Sequence, residues 1–234
     1  MSVTGNIERT EEKIQRACEA SGRKREEITL LGVSKFHGRE AVEEAWRGGI
    51  RCFGESRVQE GAEKFSGFRE THPGFALHMI GTLQRNKVKA AFSLFDCIQS
   101  VDRDDLIREL GKHREKPERP LELLLELHTG EESKSGFPGL EDLYRALDLI
   151  LAYPCLSVRG LMTMAPFTQD RGLIRSSFRQ LKTAQRELEK RFPSDGRTSW
   201  ACISMGMSND FETAIEEGST LLRIGTAIFG ERLP

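Results

Sequence analysis

The sequence predicts an α/β fold: one (β/α)₈ TIM barrel spanning residues 1–234, with an extra helix at its N-terminus. Short apolar runs alternate with longer segments of helical periodicity, which indicates βαβ units and a parallel sheet. The apolar runs number eight, which is the number of strands that closes a TIM barrel. The first run ends in Gly32-Val33-Ser34-Lys35. This segment lacks the glycine-rich turn of a doubly wound sheet, so the barrel is favoured.

The elements follow one another without a linker or a repeat. A helix with an apolar stripe is predicted first, over Ile7–Ala20. Each strand is a short apolar run bounded by polar or glycine-containing turns, and the eight runs are Ile28–Ser34, Arg51–Gly54, Leu77–Gly81, Phe95–Ser100, Leu121–Leu127, Ser157–Met162, Ala201–Ser204 and Leu221–Ile224. Helical periodicity fills the intervals at Arg39–Arg47, Val58–Phe65, Asn86–Ala91, Asp104–His113, Leu140–Leu151, Asp170–Phe192 and Asp210–Glu217.

Composition excludes several classes of partner. The formal net charge is -1, with 35 basic and 36 acidic residues, so no electrostatic footprint for nucleic acid is expected. The stretch from Met1 to Arg16 is polar and unlike a signal peptide, and no run reaches the roughly 18 apolar residues of a membrane span. Five cysteines without a Cys-x-x-Cys pair indicate free thiols in a reducing compartment. We therefore expect a cytoplasmic protein with no nucleic-acid or membrane partner.

The candidate site follows from the barrel. Active sites of (β/α)₈ barrels form at the carboxyl ends of the strands, and phosphate commonly binds after strands 7 and 8. Lys35 stands directly after strand 1. Such a lysine is either a solvated charge at the rim or an amine that forms a Schiff base. The second role is favoured when burial or nearby cations lower its pKa from about 10.4.

Two turns suited to phosphate lie where the barrel predicts them. After strand 7 a Gly- and Ser-containing turn begins at Ser204 and leads into a helix, with Ser208 or Asn209 as its N-cap. This segment alone is equally consistent with a plain capped helix and with an anion site. After strand 8, Arg223 supplies a permanent cation, and it is followed by two residues that offer close backbone approach and a hydroxyl, Gly225 and Thr226.

The chain resembles the pyridoxal phosphate homeostasis protein family, whose barrel is that of the alanine racemase N-terminal domain. Seven segments carry the resemblance in the family's order, almost from end to end of the chain. They are Leu31–Lys35, Phe53–Glu60, His78–Lys87, Glu132–Gly136, Gly160–Met164, Ser204–Ser208 and Arg223–Gly230. The resemblance implies pyridoxal 5'-phosphate as the cofactor.

The resemblance also implies roles for single residues. Lys35 is similar to the Schiff-base lysine, and Arg223 to the residue that faces the pyridine nitrogen. Met162 either lines the cofactor ring or belongs to the core. The implied phosphate ligands are Ser204, Ser208, Gly225 and Thr226.

Several positions depart from the family pattern or stand outside the implied site. Ser56 occupies a cofactor-binding position where the family usually has Asn, so an amide contact is lost. His37 replaces part of a proline-containing loop, and His128 replaces an amide after strand 5. Lys87 and Lys134 are expected to be solvated surface lysines, with a secondary cofactor contact as the alternative for Lys134.

Three functions stay open at this level. The first is non-catalytic binding, buffering or delivery of pyridoxal 5'-phosphate in intracellular vitamin B6 homeostasis, by a monomer that serves apo-enzymes. The alternative is an amino-acid racemase, whose second tyrosine comes from a C-terminal β-domain that a chain ending at Pro234 is expected to lack. Tyr144 and Tyr153 are predicted to lie away from the site. A third reading is a barrel for another phosphorylated metabolite, with Lys35 as a countercharge.

Overall fold

Eight parallel strands close into a barrel in the computed structural model, which describes residues 2–113, 120–130 and 135–231. Each strand pairs with its neighbours in chain order, and the first pairs with the last. The predicted TIM barrel is confirmed. The strands are β1 (Thr29–Val33), β2 (Cys52–Glu55), β3 (Ala76–Met79), β4 (Cys97–Val101), β5 (Leu121–Glu126), β6 (Leu156–Met162), β7 (Thr198–Ser204) and β8 (Leu221–Ile224).

Helices surround the barrel in alternation with the strands. They are α1 (Val3–Ala20), α2 (Arg39–Arg47), α3 (Val58–Lys64), α4 (Phe68–Thr71), α5 (Val88–Leu94), α6 (Asp104–Gly111), α7 (Leu140–Leu151), α8 (Arg171–Arg191), α9 (Phe211–Glu216) and α10 (Thr226–Phe229). The extra N-terminal helix is confirmed as α1. It begins four residues before the predicted start because the Ser2 side chain caps it, accepting a hydrogen bond from the Gly5 N–H.

The structure differs from the sequence prediction in three local features. The short helices α4 and α10 were not predicted, because a single helical turn shows no periodicity. The N-cap of α9 is Asp210, not Ser208 or Asn209. The Asp210 carboxylate accepts the Met207 N–H at 2.5 Å, so it closes the turn before the helix.

Alternation along the strands separates two cores. On β5, Leu123 and Leu125 face the helices and belong to the large outer core, whereas Leu124 packs inside the barrel. On β1, Leu31 and Val33 likewise face the interior. Each fully buried aliphatic side chain stabilises the fold by roughly 1.5–3 kcal/mol. The alternation fixes which strand-end residues reach the mouth of the barrel.

Thiols occupy part of the barrel interior. Cys52 and Cys97 are buried and Cys202 is half-buried, and all three are free. Burial raises the pKa of each thiol, that of Cys202 to about 12, so they stay protonated. Within the described ranges, no group of three or more His, Cys, Asp or Glu side chains is arranged to hold a metal ion. The helices of the described chain include none with the length and apolarity that a membrane crossing requires.

Candidate functional site

A cavity of about 840 Å³ opens at the carboxyl ends of the strands. This volume is within the range of roughly 300–1,000 Å³ that is typical of small-molecule sites. Six of the seven residues that the sequence assigns to the cofactor line this cavity: Lys35, Ser56, Ser208, Arg223, Gly225 and Thr226. Ser204 is the exception, since it is not among the lining residues.

Lys35 reaches the cavity because it continues the inward-facing positions of β1. Leu31 and Val33 pack inside the barrel, and Lys35 follows two residues later at the same face. The next residue, Phe36, has a left-handed backbone with φ of 68°. For a residue other than glycine this conformation costs roughly 1–2 kcal/mol, so the surrounding structure must hold it.

A buried ion cluster holds the turn that carries Lys35. We call it the Lys64 cluster, made of Ser34, Glu55, Glu60 and Lys64. Lys64 is 8% exposed, and its ammonium donates to three oxygens, namely the Ser34 carbonyl at 2.6 Å, Glu55 Oε1 at 2.7 Å and Glu60 Oε1 at 2.9 Å. All three ammonium protons therefore have acceptors.

The Lys64 cluster also binds the turn directly. Ser34 Oγ donates to Glu55 Oε1 at 2.7 Å, and the Phe36 N–H donates to Glu60 Oε1. Burial raises the pKa of Glu55, although Lys64 and Ser34 act in the opposite direction. Helix α3 is thus tied to the backbone on both sides of Lys35, which explains how the left-handed turn is kept.

Arg223 places a buried cation at the floor of the cavity. Its side chain belongs to a residue only 5% exposed, and it donates from Nη1 to Ser204 Oγ at 2.6 Å and from Nη2 to the Thr163 carbonyl at 2.8 Å. Burial lowers the pKa of the guanidinium. Arginine nevertheless stays charged in proteins, so it supplies hydrogen-bond donors and no acceptor.

Ser204 does not lie where a phosphate ligand was expected. The side chain is fully buried below the cavity, where it accepts from Arg223 and donates to Gln99 Oε1 at 2.6 Å. Its strand position explains the difference. Ser204 pairs in register with Met162. Met162 likewise belongs to the interior core, while Met164, two residues on, lines the cavity.

The end of the cavity nearest β7 and β8 is built by the loops that follow these strands. Ser208 Oγ accepts the Ala227 N–H at 3.3 Å, which joins the turn after β7 to the first turn of α10. Gly206 has φ of +98°, and a Cβ there would lie 2.6 Å from Ala214 Cβ, so the turn requires glycine. Loops after strands 7 and 8 with a short extra helix are the usual phosphate site of such barrels.

Glu126 is a lining residue that the sequence reading missed. It is buried at the end of β5, where it accepts a hydrogen bond from Ser135 Oγ at 2.9 Å. Burial raises the pKa of its carboxyl group. The signal was present in the strand pattern, because Glu126 lies two residues after the inward-facing Leu124.

Four residues singled out from the sequence lie elsewhere or cannot be placed. His37 stacks on the Phe229 ring with 5.2 Å between centroids, and it is not among the cavity's lining residues. His128 lines a separate cavity of about 540 Å³ beside α7 and α8. Lys87 is half-buried before α5 and also does not line the site. Lys134 lies outside the described residues.

Comparison with known proteins decides the family. The sequence model of the family "Alanine racemase, N-terminal domain" matches residues 6–233. The pyridoxal phosphate homeostasis protein of Vibrio cholerae is 41% identical over 234 residues, covering 99% of this chain and 97% of that protein. The chain belongs to the pyridoxal phosphate homeostasis protein family. The resemblance seen in the seven segments is thereby confirmed.

Solved structures agree with this membership. PipY of Synechococcus elongatus, determined with pyridoxal phosphate bound, is 32% identical with a TM-score of 0.79, and the match covers 93% of this chain and all of PipY. Alanine racemase from E. faecalis is 18% identical with a TM-score of 0.69, and this chain covers 61% of it. At that identity the likeness concerns the fold alone. This chain therefore shares the barrel fold of the racemase.

Proposed function

We propose that this protein binds pyridoxal 5'-phosphate covalently through Lys35 and acts in intracellular vitamin B6 homeostasis, by binding, buffering or delivering the cofactor. The observation that carries the proposal is one cavity that contains the Lys35 amine, the Arg223 cation and the hydroxyl groups of Ser208 and Thr226. The cofactor bound in PipY and the names of the relatives support it.

The lining residues fit the chemical groups of this cofactor. Lys35 Nζ would hold the cofactor through its aldehyde carbon, with the aldehyde oxygen and the two amine protons released as water. Ser208, Gly225 and Thr226 would hold the phosphate through hydroxyl and backbone N–H donors. Arg223 would face the pyridine nitrogen. When bound, pyridoxal 5'-phosphate supplies an electron sink for carbanions.

We further propose that the protein has at most weak activity on amino acids. A guanidinium beside the pyridine nitrogen disfavours protonation of that nitrogen, which makes the ring a poorer electron sink. Racemisation also needs an acid or base on each face of the substrate carbon. Tyr144 packs against Phe192 on the outer helices, and Tyr153 packs on Gly111. Neither tyrosine is among the residues that line the cavity.

We also propose a cellular setting for this function. Five cysteines that form no disulfide within the described residues support a reducing compartment such as the cytoplasm. Apo-enzymes that need the cofactor are the recipients we expect. A monomer stays a prediction, which sedimentation equilibrium of the purified protein checks.

One experiment separates the candidate functions. Purified protein is mixed with pyridoxal 5'-phosphate, its visible spectrum is recorded before and after borohydride, and the labelled peptide is mapped. A visible band that borohydride removes, with the label on Lys35, supports the proposal, whereas a colourless protein would favour another phosphorylated ligand. Incubation with L-alanine in deuterated water then tests catalysis. Stereoinversion at about 1 per second or faster would make the protein a racemase.

A further inference from the structure

A chain of hydrogen bonds crosses the barrel interior beneath the cavity and ends on Arg223. Arg223 Nη1 donates to Ser204 Oγ at 2.6 Å, and Ser204 Oγ donates to Gln99 Oε1 at 2.6 Å. The Gln99 side-chain nitrogen donates to His78 Nδ1 at 2.8 Å. The four residues lie on β8, β7, β4 and β3, so the chain spans the barrel. We call these four residues the Arg223 relay.

The direction of every bond in the Arg223 relay is fixed by its two ends. Arginine has no acceptor, so Ser204 Oγ must accept from it and can donate its own O–H to Gln99 Oε1. An amide nitrogen only donates, so His78 Nδ1 must be unprotonated and a neutral ring carries its proton on Nε2. Burial lowers the pKa of His78 to about 4, which keeps the imidazole neutral at physiological pH.

Loss of one link has no ready replacement. Ser204 and Gln99 are fully buried, so removing either partner leaves a buried polar atom without its hydrogen bond. Within the described part of the chain, the guanidinium makes a second hydrogen bond, from Nη2 to the Thr163 carbonyl. Two contacts on different nitrogens fix a planar group, whereas one lets it rotate. The relay therefore supplies one of two anchors for the cation at the cavity floor.

We propose that His78, Gln99 and Ser204 are positioning residues that set the orientation of the Arg223 guanidinium against the ring of the bound cofactor. This inference rests on the proposed function, and it gives Ser204 a role different from phosphate binding. The three residues act through Arg223 and do not touch the ligand.

The first test is a double-mutant cycle on the cofactor-loaded protein. Ser204→Ala and Gln99→Leu should each shift the visible absorbance maximum and weaken cofactor binding about tenfold, the effect of losing one hydrogen bond. In an Arg223→Leu background the same substitutions should have no further effect, because their effect passes through the guanidinium. Ser204→Thr keeps the hydroxyl and should restore the wild-type spectrum.

Ser157→Ala is the matched control. Ser157 is also a fully buried strand serine, but it lies on β6 with its hydroxyl near the Leu121 carbonyl, outside the cavity lining. Its removal should leave spectrum and binding unchanged. If Ser204→Ala matches Ser157→Ala, or if its effect adds fully to that of Arg223→Leu, the relay has no positioning role.

A second measurement needs no cofactor. Exchange of the Arg223 guanidinium protons, followed by NMR in the ligand-free protein, should be slow in the wild type and faster in Gln99→Leu. Equal rates would overturn the relay even in a protein that binds the cofactor well. A wild type without a visible band would instead contradict the proposed function, and the exchange rates would still decide the relay.

Discussion

The two sides of the cavity are supported in different ways. Behind Lys35, the Lys64 cluster is a set of charged groups packed between the barrel wall and α3. Beneath Arg223, the relay consists of neutral groups inside the barrel and meets a single charge at its end. A charged cluster depends on every partner staying charged, because a buried charge that loses its partner is costly. The relay depends on geometry and on a neutral His78 ring.

The difference matches what each side has to hold. The Lys64 cluster fixes a backbone, the left-handed turn at Phe36, and strong anchors are needed to keep such a turn. The relay fixes only the rotation of a side chain. The cluster is also the less satisfied of the two, since Glu55 Oε2 is buried without a hydrogen-bond partner within the described part of the chain. We therefore expect the Lys64 cluster to govern stability and the Arg223 relay to govern the position of the absorbance maximum.

The largest expected effect is on the lysine itself. Lys35→Ala should abolish the visible band of the loaded protein while the melting temperature changes little, because a side chain at the barrel mouth adds little to the core. Lys87→Ala is the control, as Lys87 lies outside the cavity lining and should keep the band. A coloured Lys35→Ala protein, or borohydride labelling of another lysine at equal yield, would refute the assignment.

The next effect tests the Lys64 cluster as a unit. Lys64→Met should lower the free energy of unfolding by about 3–5 kcal/mol, since it leaves the Glu55 carboxylate buried and unpaired. Adding Glu55→Gln should recover much of this loss. Urea unfolding of Lys64→Met, of the double variant and of Ser204→Ala measures these losses. A smaller loss for Lys64→Met than for Ser204→Ala would show that the Lys64 cluster does not contribute more to stability than the Arg223 relay.

A smaller effect is expected at the proposed phosphate end. Ser208→Ala and Thr226→Ala should each weaken cofactor binding by about 1–3 kcal/mol, the usual cost of losing a hydrogen bond to a charged group. Backbone N–H donors would keep part of the site, so binding should be reduced and not lost. Equilibrium dialysis with the free cofactor measures the change, and unchanged binding in both variants would refute the phosphate assignment.

Much of this arrangement could be predicted from the sequence. The barrel rule predicts Lys35, Arg223 and Thr226 at one mouth, because it depends only on the strand ends and the topology. The depth of Ser204 could not be predicted in the same way. Its strand end was predicted correctly, but the layer that its side chain enters depends on how far neighbouring strands are staggered.

The Lys64 cluster was beyond the sequence for a related reason. Lys64 is the last residue of α3, where a solvated lysine is the usual expectation. Its partners Ser34 and Glu55 are 30 and 9 positions away in the sequence. No local pattern reports that three such residues are buried together. Glu126 differs, because the alternation of β5 alone predicts that its side chain faces the barrel interior, as that of Leu124 does.

The smallest expected effect is a pH dependence within the cavity. Burial raises the pKa of Glu126 in the folded protein, so above its unfolded pKa of about 4.3 the folded state binds more protons than the unfolded one. The contribution of Glu126 to stability is therefore lost as pH rises above that unfolded value. His78 acts in the opposite direction: its folded pKa of about 4 lies below the unfolded value of about 6.5, so its contribution grows as pH rises between them. The two slopes partly cancel in the wild type.

Glu126→Gln should uncover the His78 slope. The difference in free energy of unfolding between Glu126→Gln and the wild type, measured by urea unfolding of the ligand-free protein, should therefore shift in favour of the variant from pH 4.5 upward. A difference that stays constant with pH would mean that Glu126 has the same pKa in both states.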